Sequence, residues 1–237
     1  MIEVSSASDI GRVRTSNEDS CGVFVHSVYV VADGLGGHAA GEVASRIVVA
    51  AVRDMANAGE PIDTASLKSA VLRANQQVLD AAAGNSSYEG MGSTATVLHI
   101  DEAAQMAHYA HVGDSRLYLL RDGEFRQISR DHSYVEELVA RGELSEAEAQ
   151  HHPRKNYLLR AVGIEERLHV DGDSFPVEAG DRFLLATDGL TNMVEDAELC
   201  TLLGGVPADA AHQMVKRALD AGGTDNVTAI VVACDPS

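Results

Sequence analysis

The stretch Val28-Tyr-Val-Val-Ala-Asp-Gly34 is an apolar run that ends in an Asp-Gly pair, and Phe183-Leu-Leu-Ala-Thr-Asp-Gly189 repeats this pattern. Asp-Gly is ordinarily a turn signal, and Asp122-Gly123 and Asp171-Gly172 are interpreted as turns. The other two pairs differ because each follows a predicted buried strand. A carboxylate at the end of such a strand is held rigidly, and the glycine lets a main-chain carbonyl approach a cation. These two pairs therefore indicate a metal site.

Further strands surround the two apolar runs. Residues 20–32 are predicted to form two strands around His26-Ser27. Runs rich in β-branched and aromatic residues, bounded by turn residues, predict further strands at 93–100, 106–112, 116–120, 125–128, 168–175, 182–187 and 227–233.

Amphipathic helices are predicted in two blocks. The first block begins after the glycine-rich residues 34–37 with a helix whose apolar stripe is Val43, Ile47, Ala51 and Met55. Its second helix covers about 63–82, ends before Gly84, and has a stripe formed by Leu67, Val71, Ala74 and Val78. The second block comprises helices near 196–203 and 207–221.

Residues 130–165 are predicted to form a surface flap. Capping-box patterns, Ser133 with Glu136 and Ser145 with Glu148, introduce short helices there. The following polar stretch contains His151-His152. Adjacent histidines point in different directions on most backbones, so this pair is interpreted as solvated rather than metal-binding.

Strands and helices that occur in separate blocks, without regular alternation, predict an α+β fold: a sandwich of antiparallel sheets with helices covering the sheets. The chain has 237 residues, of which 45% are hydrophobic, enough for one sizeable core. We therefore expect a single domain over residues 1–237. We find no internal repeat, low-complexity segment or interdomain linker.

The composition excludes several function classes. Thirty-six acidic against eighteen basic residues give a net charge of −18, which disfavours binding to nucleic acid and to anionic lipid. The three cysteines, Cys21, Cys200 and Cys234, lack C-x-x-C spacing and favour a reducing cytoplasm over a disulfide framework. No secretory leader or membrane span is expected. Any phosphate chemistry would need locally placed cations.

Six ordered blocks carry a family resemblance. Four contain the candidate site residues: Arg14-Thr-Ser-Asn-Glu18-Asp19, Asp33-Gly-Leu-Gly-Gly-His38, Thr187-Asp188-Gly189 and Gly223-Thr-Asp225-Asn226. Two support them: Met91-Gly-Ser-Thr94 and His111-Val-Gly-Asp114-Ser-Arg116. In this order the chain resembles the metal-dependent serine/threonine protein phosphatases of the 2C type, in particular the bacterial members, from residue 5 to residue 232.

The resemblance implies a central β-sandwich flanked by pairs of antiparallel helices, with two Mg²⁺ or Mn²⁺ ions at one end. Asp33 would bridge the ions, the Gly34 carbonyl would bind one, and Asp188 and Asp225 would bind the other. Glu18 would act through water. Independently of the resemblance, oxygen ligands without Cys or His favour Mg²⁺ or Mn²⁺ over zinc.

The resemblance also implies a reaction. Hydroxide bridging the two ions would attack a phosphoserine or phosphothreonine, so the protein needs no nucleophile of its own. Arg14 matches the arginine that grips the substrate phosphate, for which its planar fork is suited. The expected substrates are phosphorylated proteins, and the expected role is to reverse the action of a bacterial serine/threonine kinase.

Two positions depart from the family pattern or extend it. Leu35 stands where some members carry a histidine proposed to protonate the leaving alcohol, which leaves metal-bound water or His38 as the candidate proton donor. Asp114 resembles a residue that binds a third, weaker metal in bacterial members.

Several alternatives stay open at the level of sequence. Asp19, taken alone, is interpreted as a turn cap or a surface partner of Arg12. The Asp114-Ser-Arg116 segment is interpreted as a hairpin turn even if a metal binds there. The chain could be a catalytically silent scaffold, although retention of the phosphate-binding arginine and of the metal-binding carboxylates opposes this. The substrate could instead be a small phosphoester or one dedicated phosphorylated regulator. A monomer is expected.

Overall fold

The computed structural model describes residues 2–36 and 40–234 of the chain. Twelve strands are present in these ranges: β1 Ile2–Asp9, β2 Ser20–Phe24, β3 Val28–Ala32, β4 Gly34–Leu35, β5 Gly92–Ser93, β6 Ala95–Asp101, β7 Met106–Val112, β8 Arg116–Arg121, β9 Glu124–Gln127, β10 Ser174–Pro176, β11 Arg182–Ala186 and β12 Val227–Cys234. The α-helices of the same ranges are α1 Ala40–Ala56, α2 Thr64–Gly84, α3 Tyr134–Ala140, α4 Glu146–Gln150, α5 Asp188–Thr191, α6 Asp196–Leu203 and α7 Pro207–Asp220.

Ten of the strands form two five-stranded antiparallel sheets. The first sheet has the order β1-β12-β11-β8-β9, and the second has the order β10-β7-β6-β3-β2. The short strands β4 and β5 pair separately, Gly34 opposite Ser93. Every strand pair of both sheets is antiparallel, as the sequence predicted.

The apolar run of β3 is buried on both faces, and this explains the layered architecture. Tyr29 and Val31 belong to the core between the two sheets. Val28 and Val30 point the other way, into a core shared with α1 and α2. Because successive strand residues face opposite sides, a strand with helices on one face and a sheet on the other must be apolar throughout.

The first sheet is covered by helices in the same way. Leu184 and Ala186 of β11 pack into a core with α5, α6 and α7, whereas Phe183 and Leu185 face the second sheet. The result is four layers in the order helices, sheet, sheet and helices. The predicted α+β sandwich is confirmed. Local signals agree with it: Asp63 caps α2 in a capping box with Ser66, and Pro207 begins α7.

Several predicted elements are confirmed. The stripe of α2, Leu67, Val71, Ala74 and Val78, is fully buried. Asp122-Gly123 connects β8 to β9 in a hairpin. The stripe predicted for α1 is only partly right, because Ala51 and Met55 are buried whereas Val43 and Ile47 are partly exposed. The buried face of α1 is rotated toward small residues such as Ala44.

Some local features were predicted wrongly or missed. Of the predicted strand 168–175 only Ser174 and Phe175 lie in a strand, β10. Leu168 and Val170 are instead loop residues buried under the α1 and α2 layer. Asp171-Gly172 is not a turn, since Asp171 forms an isolated bridge with His111 of β7. Strand β1 was not predicted, because polar residues such as Ser5, Ser6 and Ser8 outnumber its large apolar residues, Ile2 and Val4.

The Asp114-Ser-Arg116 segment is not a hairpin turn. It follows β7 of the second sheet and precedes β8 of the first, so the chain crosses from one sheet to the other at this point. The two strands therefore do not pair with each other, as hairpin strands would. This crossover places Asp114 where β7 ends and β8 is about to begin, at one end of the sandwich.

The predicted flap is a lobe containing α3 and α4. Its two ends meet, since Ser133 forms an isolated bridge with Leu158 and the Tyr134 amide donates to the Tyr157 carbonyl at 2.8 Å. Ser145 and Glu148 form the full predicted capping box. At the start of α3 only half of the box forms, because the side chain of Glu136 pairs with Arg130 instead.

Within residues 2–36 and 40–234, no helix combines the length and the apolar character needed to cross a membrane.

Candidate active site

The predicted site carboxylates are carried by segments that flank central strands. Asp33 follows β3, Asp188 follows β11 as the first residue of α5, and Asp225 precedes β12. Electrostatic repulsion links Asp33 to Asp188, Asp114 and Asp225, so the structure brings these four carboxylates together. The site therefore lies at one end of the sandwich, where strands from both sheets end.

The backbone of Asp33 is fixed by Thr94, at the start of the neighbouring strand β6. The Asp33 amide donates to Thr94 Oγ1 at 2.8 Å, and the Thr94 amide donates to the Asp33 carbonyl at 2.9 Å. Thr94 Oγ1 in turn lies 2.7 Å from Ser115 Oγ. A buried hydroxyl pair thus joins the backbone of Asp33 to the segment that carries Asp114.

Gly34 is packed too closely for any side chain. A Cβ atom at this position would lie 2.2 Å from the Gly41 carbonyl oxygen and 2.6 Å from the Glu18 carbonyl oxygen. The Gly34 amide donates to that Glu18 carbonyl at 3.1 Å. The Asp-Gly pair therefore joins β3, the Glu18 loop and α1 at one point.

Asp188 is placed by the short helix α5, which lies against β12. A Cβ atom on Gly189 would lie 1.9 Å from the Asn226 carbonyl oxygen, so only glycine allows this approach. Asn192, one turn further along the chain, donates to Asp188 Oδ2 at 3.0 Å. Lys155 of the flap donates to Asn192 Oδ1 at 3.3 Å, and its charge favours the ionised form of Asp188.

Arg14 faces the site from the N-terminal loop. Its Nη2 atom lies 2.8 Å from Asp225 Oδ2, and about half of the arginine side chain is exposed. The hydrogen bond to Asp225 raises the pKa of the guanidinium, although partial burial opposes this, and the charges of Glu18 and Asp33 add to the increase. Arg14 is therefore a fixed positive charge at the rim of the carboxylate cluster.

Asn226 holds this loop in place. Its Nδ2 group donates to the carbonyls of Ile10 and Ser16, both at 2.9 Å, and its Oδ1 accepts from the Glu18 amide at 2.8 Å. One buried amide thus fixes the segment that carries both Arg14 and Glu18. Glu18 is itself half-buried, and burial raises its pKa against the opposing effect of Arg14.

Asp19 is buried and its charge acts on Asp33, so its interpretation as a surface residue is wrong. Its side chain is buried, and Oδ2 accepts from Thr187 Oγ1 at 2.8 Å and from Thr228 Oγ1 at 2.6 Å. Oδ1 has no hydrogen-bond partner among the described residues. Burial raises the pKa of Asp19 to about 7 although the two hydroxyls lower it. Arg12 pairs instead with Asp220.

The carboxylates repel one another. Burial, followed by the charges of Asp19 and Asp188, raises the pKa of Asp33 well above its usual range. Burial and the charge of Asp188 do the same for Asp114, and burial and the charge of Asp225 raise the pKa of Asp188. Buried like charges of this kind are expensive unless protons or cations neutralise them.

These residues fit divalent cations in their chemistry. The donors are carboxylate and carbonyl oxygens, which Mg²⁺ and Mn²⁺ prefer. Oδ1 of Asp19 has no hydrogen-bond partner among the described residues, and the pKa values of Asp19 and Asp33 are raised, so a bound cation would stabilise these carboxylates. Across the described ranges, however, no three His, Cys, Asp or Glu side chains already converge as a metal-binding group. Asp225, for example, is turned to Arg14.

Asp114 lies in a firmly held crossover. Ser115 bonds to Thr94 through its hydroxyl, and its carbonyl accepts from Thr96 Oγ1 at 2.8 Å. Arg116 binds Asp131 with three hydrogen bonds of 2.8–3.0 Å. The half-buried Asp114 is thus held between rigid neighbours on the side of the cluster nearer to the flap.

Leu35 and His38 are the two residues on which the identity of the general acid depends. Leu35 is half-buried in β4, opposite Gly92, and carries no titratable group. His38 lies outside the described residues.

With this geometry established, comparison with known proteins gives the family. The family model described as protein phosphatase 2C matches residues 12–228. The chain belongs to the protein phosphatase 2C family.

The relatives found by sequence agree with this assignment. The chain is 39% identical over 235 residues to the serine/threonine phosphatase stp of Listeria innocua, covering 94% of this chain and 92% of the relative. It is 36% identical over 242 residues to the protein phosphatase PhpP of Streptococcus pneumoniae, covering 98% and 97%.

Solved structures share the whole fold. The serine/threonine phosphatase PstP of Mycobacterium tuberculosis matches with a TM-score of 0.93 and 36% identity over 99% of each chain. A second structure, the catalytic domain of PstP in complex with two manganese ions, matches with a TM-score of 0.91 and 35% identity over 99% of each chain.

Sequence reasoning gave no role to several residues of this site. Asn226 stood only as part of a motif, and Thr94 only as the start of a strand, although both fix the backbone of predicted site residues. Asn192 and Lys155 were not singled out at all. A polar residue immediately after a predicted ligand, as in Asp225-Asn226, is the kind of signal that could have pointed to such support.

Proposed function

We propose that this chain is a metal-dependent protein serine/threonine phosphatase in which Asp33, Asp188 and Asp225 hold two Mn²⁺ or Mg²⁺ ions. The observation that carries the proposal is the electrostatic repulsion of Asp33 by Asp19, Asp188, Asp114 and Asp225, next to the guanidinium of Arg14. The two manganese ions in the related PstP structure support the metal assignment. In this proposal residues 1–237 act as one catalytic domain.

The remaining predicted ligands fit the same scheme. The Gly34 carbonyl would bind one ion and Glu18 would act through water, while Asp114 would contribute to a third, weaker ion. When bound, the two metal ions would supply an acidified water as the nucleophile and positive charge at the transferring phosphoryl group.

The chain's own residues would bind and orient the substrate. Arg14 is half-exposed at the rim of the cluster and can donate two parallel hydrogen bonds to a phosphate. In the structure Arg14 and Asp225 are paired with each other. If Asp225 binds a cation instead, the Arg14 guanidinium becomes available to the phosphate. Leu35 cannot donate a proton, so protonation of the leaving alcohol falls to solvent or to another side chain.

The proposed substrates are phosphoserine and phosphothreonine in proteins, and the proposed role is reversal of a cytoplasmic bacterial serine/threonine kinase. The relatives named serine/threonine phosphatases support this choice. We further propose that the enzyme acts as a monomer.

The test is hydrolysis of a phosphothreonine peptide with Mn²⁺, with Mg²⁺ and with chelator. Wild type, Asp33→Asn and the matched control Asp122→Asn, which changes a carboxylate in the β8–β9 turn, are compared. We expect metal-dependent turnover that is lost in Asp33→Asn and kept in the control. Absence of turnover in the wild type with bound metal would favour a silent scaffold, and turnover of small phosphoesters alone would favour a different substrate.

A further inference from the structure

His132 stands where the flap meets the crossover that carries Asp114. Its amide donates to the Gly113 carbonyl at 2.7 Å, and the Gly113 amide donates to His132 Nδ1 at 3.1 Å. Both peptide groups that flank Gly113 are therefore bonded to one residue. One of them is the peptide group shared by Gly113 and Asp114.

The same residue closes the base of the flap. The His132 carbonyl accepts from the Leu159 amide at 2.7 Å, which joins the two ends of the lobe that contains α3 and α4. Ser133 and Tyr134 continue this junction with Leu158 and Tyr157. Displacement of the flap base would therefore act directly on the main chain of His132.

The imidazole is fixed in one tautomer. Because Nδ1 accepts from the Gly113 amide, the proton of the neutral ring lies on Nε2. Nε2 lies 3.1 Å from both Asp171 Oδ2 and Arg160 Nη1, and of these two groups only the carboxylate can accept that proton. Asp171 is held in turn by Arg160 at 2.9 Å. The residue is 6% exposed, and its ring packs against His111 with centroids 4.8 Å apart. Burial lowers the pKa of His132, in agreement with a neutral ring.

We propose that His132 is a positioning residue that couples the flap to the Asp114 carboxylate. It touches no reacting atom, and it acts by fixing the Gly113-Asp114 peptide to the base of the flap. The consequence is that the position of the flap base and the placement of Asp114 are set together. This inference rests on the proposed function, because Asp114 is part of the proposed site.

Three variants separate the bonds of His132. His132→Leu removes both side-chain bonds. In His132→Asn the amide oxygen can replace Nδ1 as acceptor for the Gly113 amide, but the contact with Asp171 is lost. Asp171→Asn keeps the histidine and weakens the bond that orients it. The matched control is His99→Asn. His99 is also buried, but it lies in β6 of the second sheet and not in the flap.

The first measurement is kcat and KM on a phosphothreonine peptide at saturating Mn²⁺. We expect His132→Leu to lower kcat about ten- to hundred-fold, since small misplacements of site groups have effects of this size, and we expect His132→Asn to recover much of it. In an Asp114→Asn background, His132→Leu should cause little further loss. A purely structural role would give losses that multiply in the double variant.

The second measurement is amide hydrogen exchange in metal-free protein, which does not depend on turnover. We expect His132→Leu to speed exchange at Gly113, Tyr134 and Leu159 together, whereas His132→Asn should keep Gly113 protected. An unchanged kcat in His132→Leu, unchanged exchange at these amides, or multiplying losses would each overturn the inference. A wild type without turnover would instead contradict the proposed function, and the exchange data would still test the coupling.

Discussion

Asp19 carries a carboxylate that is buried under two threonine hydroxyls and lies in the field of Asp188 and Asp225. Its unpartnered Oδ1 and its raised pKa have the same cause, which is burial of a charge without a counter-charge among the described residues. In the metal-free protein this residue should therefore favour the protonated state far more strongly than in the unfolded chain.

The first prediction concerns the pH dependence of stability. The folded-state pKa of about 7 exceeds the ordinary value of 3.8, so the folded protein binds the proton more tightly. The contribution of Asp19 is then most favourable below pH 4 and becomes less favourable as pH rises to 7, by up to about 4 kcal/mol. Urea unfolding in chelator should show wild type losing stability relative to Asp19→Asn over this range. A constant difference between the two proteins would contradict it.

The second prediction concerns Asn226. Asn226→Ala removes three hydrogen bonds that hold the loop of Arg14 and Glu18. Losing these bonds and leaving buried groups unpaired should cost about 1–3 kcal/mol of unfolding free energy. The value of kcat/KM on a phosphopeptide should fall about ten-fold or more, because Arg14, the proposed phosphate-binding residue, loses its fixed position.

Asn85→Ala is the matched control for this change. Asn85 also accepts a bond from a main-chain amide, that of Ser87, but it is exposed and lies after α2. Its replacement should leave kcat/KM unchanged. Equal losses in both variants, or full activity in Asn226→Ala, would argue against positioning by Asn226.

At the scale of elements, the flap reaches the site through α5. Lys155 donates to Asn192, and Asn192 donates to Asp188, so a lysine of the flap is one side chain removed from a proposed metal ligand. The chain has a net charge of −18, so a lysine at this place provides a local positive charge that can attract a phosphorylated substrate.

The third prediction follows from this contact. Lys155→Ala should raise KM for an acidic phosphopeptide about three- to ten-fold, with a smaller effect on kcat, and the difference from wild type should shrink in high salt because exposed charges are screened. Lys216→Ala, which removes an exposed lysine of α7, serves as the control. Unchanged KM, or a loss that salt does not affect, would exclude an electrostatic role for Lys155.

Elements with a strong period were predictable from sequence, and those defined by their partners were not. The stripe of α2 repeats at helical spacing, and all four of its predicted positions are buried. Strand β1 has no such pattern and exists because it pairs with β12 over its whole length. Likewise, the motifs identify Asp33 and Asp188, but the burial of Asp19 depends on Thr187 and Thr228, which are distant in sequence.

At the scale of the whole molecule, buried groups of opposite type contribute to the pH dependence of stability in opposite directions. His111 belongs to β7, in the sheet that carries Asp33. It bonds to Thr96 Oγ1 at 2.9 Å, and its Nε2 atom lies 3.1 Å from the Arg130 carbonyl oxygen. Burial, assisted by the neighbouring His132, lowers the pKa of His111 to about 4. A buried neutral imidazole destabilises the fold in acid, whereas a buried carboxylate such as Asp19 destabilises it at neutral pH.

The fourth prediction uses this opposition. The folded-state pKa of His111 lies below its ordinary value of 6.5, so its contribution is fully present above pH 6.5 and is lost as pH falls toward 4, by up to about 3 kcal/mol. In metal-free wild type this gain on raising the pH offsets part of the loss from Asp19. As the pH is raised from 4 to 6.5, the free energy of unfolding of His111→Asn should therefore fall more steeply than that of the wild type, measured by urea unfolding in chelator. Parallel pH profiles for the two proteins would mean that His111 does not titrate differently on unfolding.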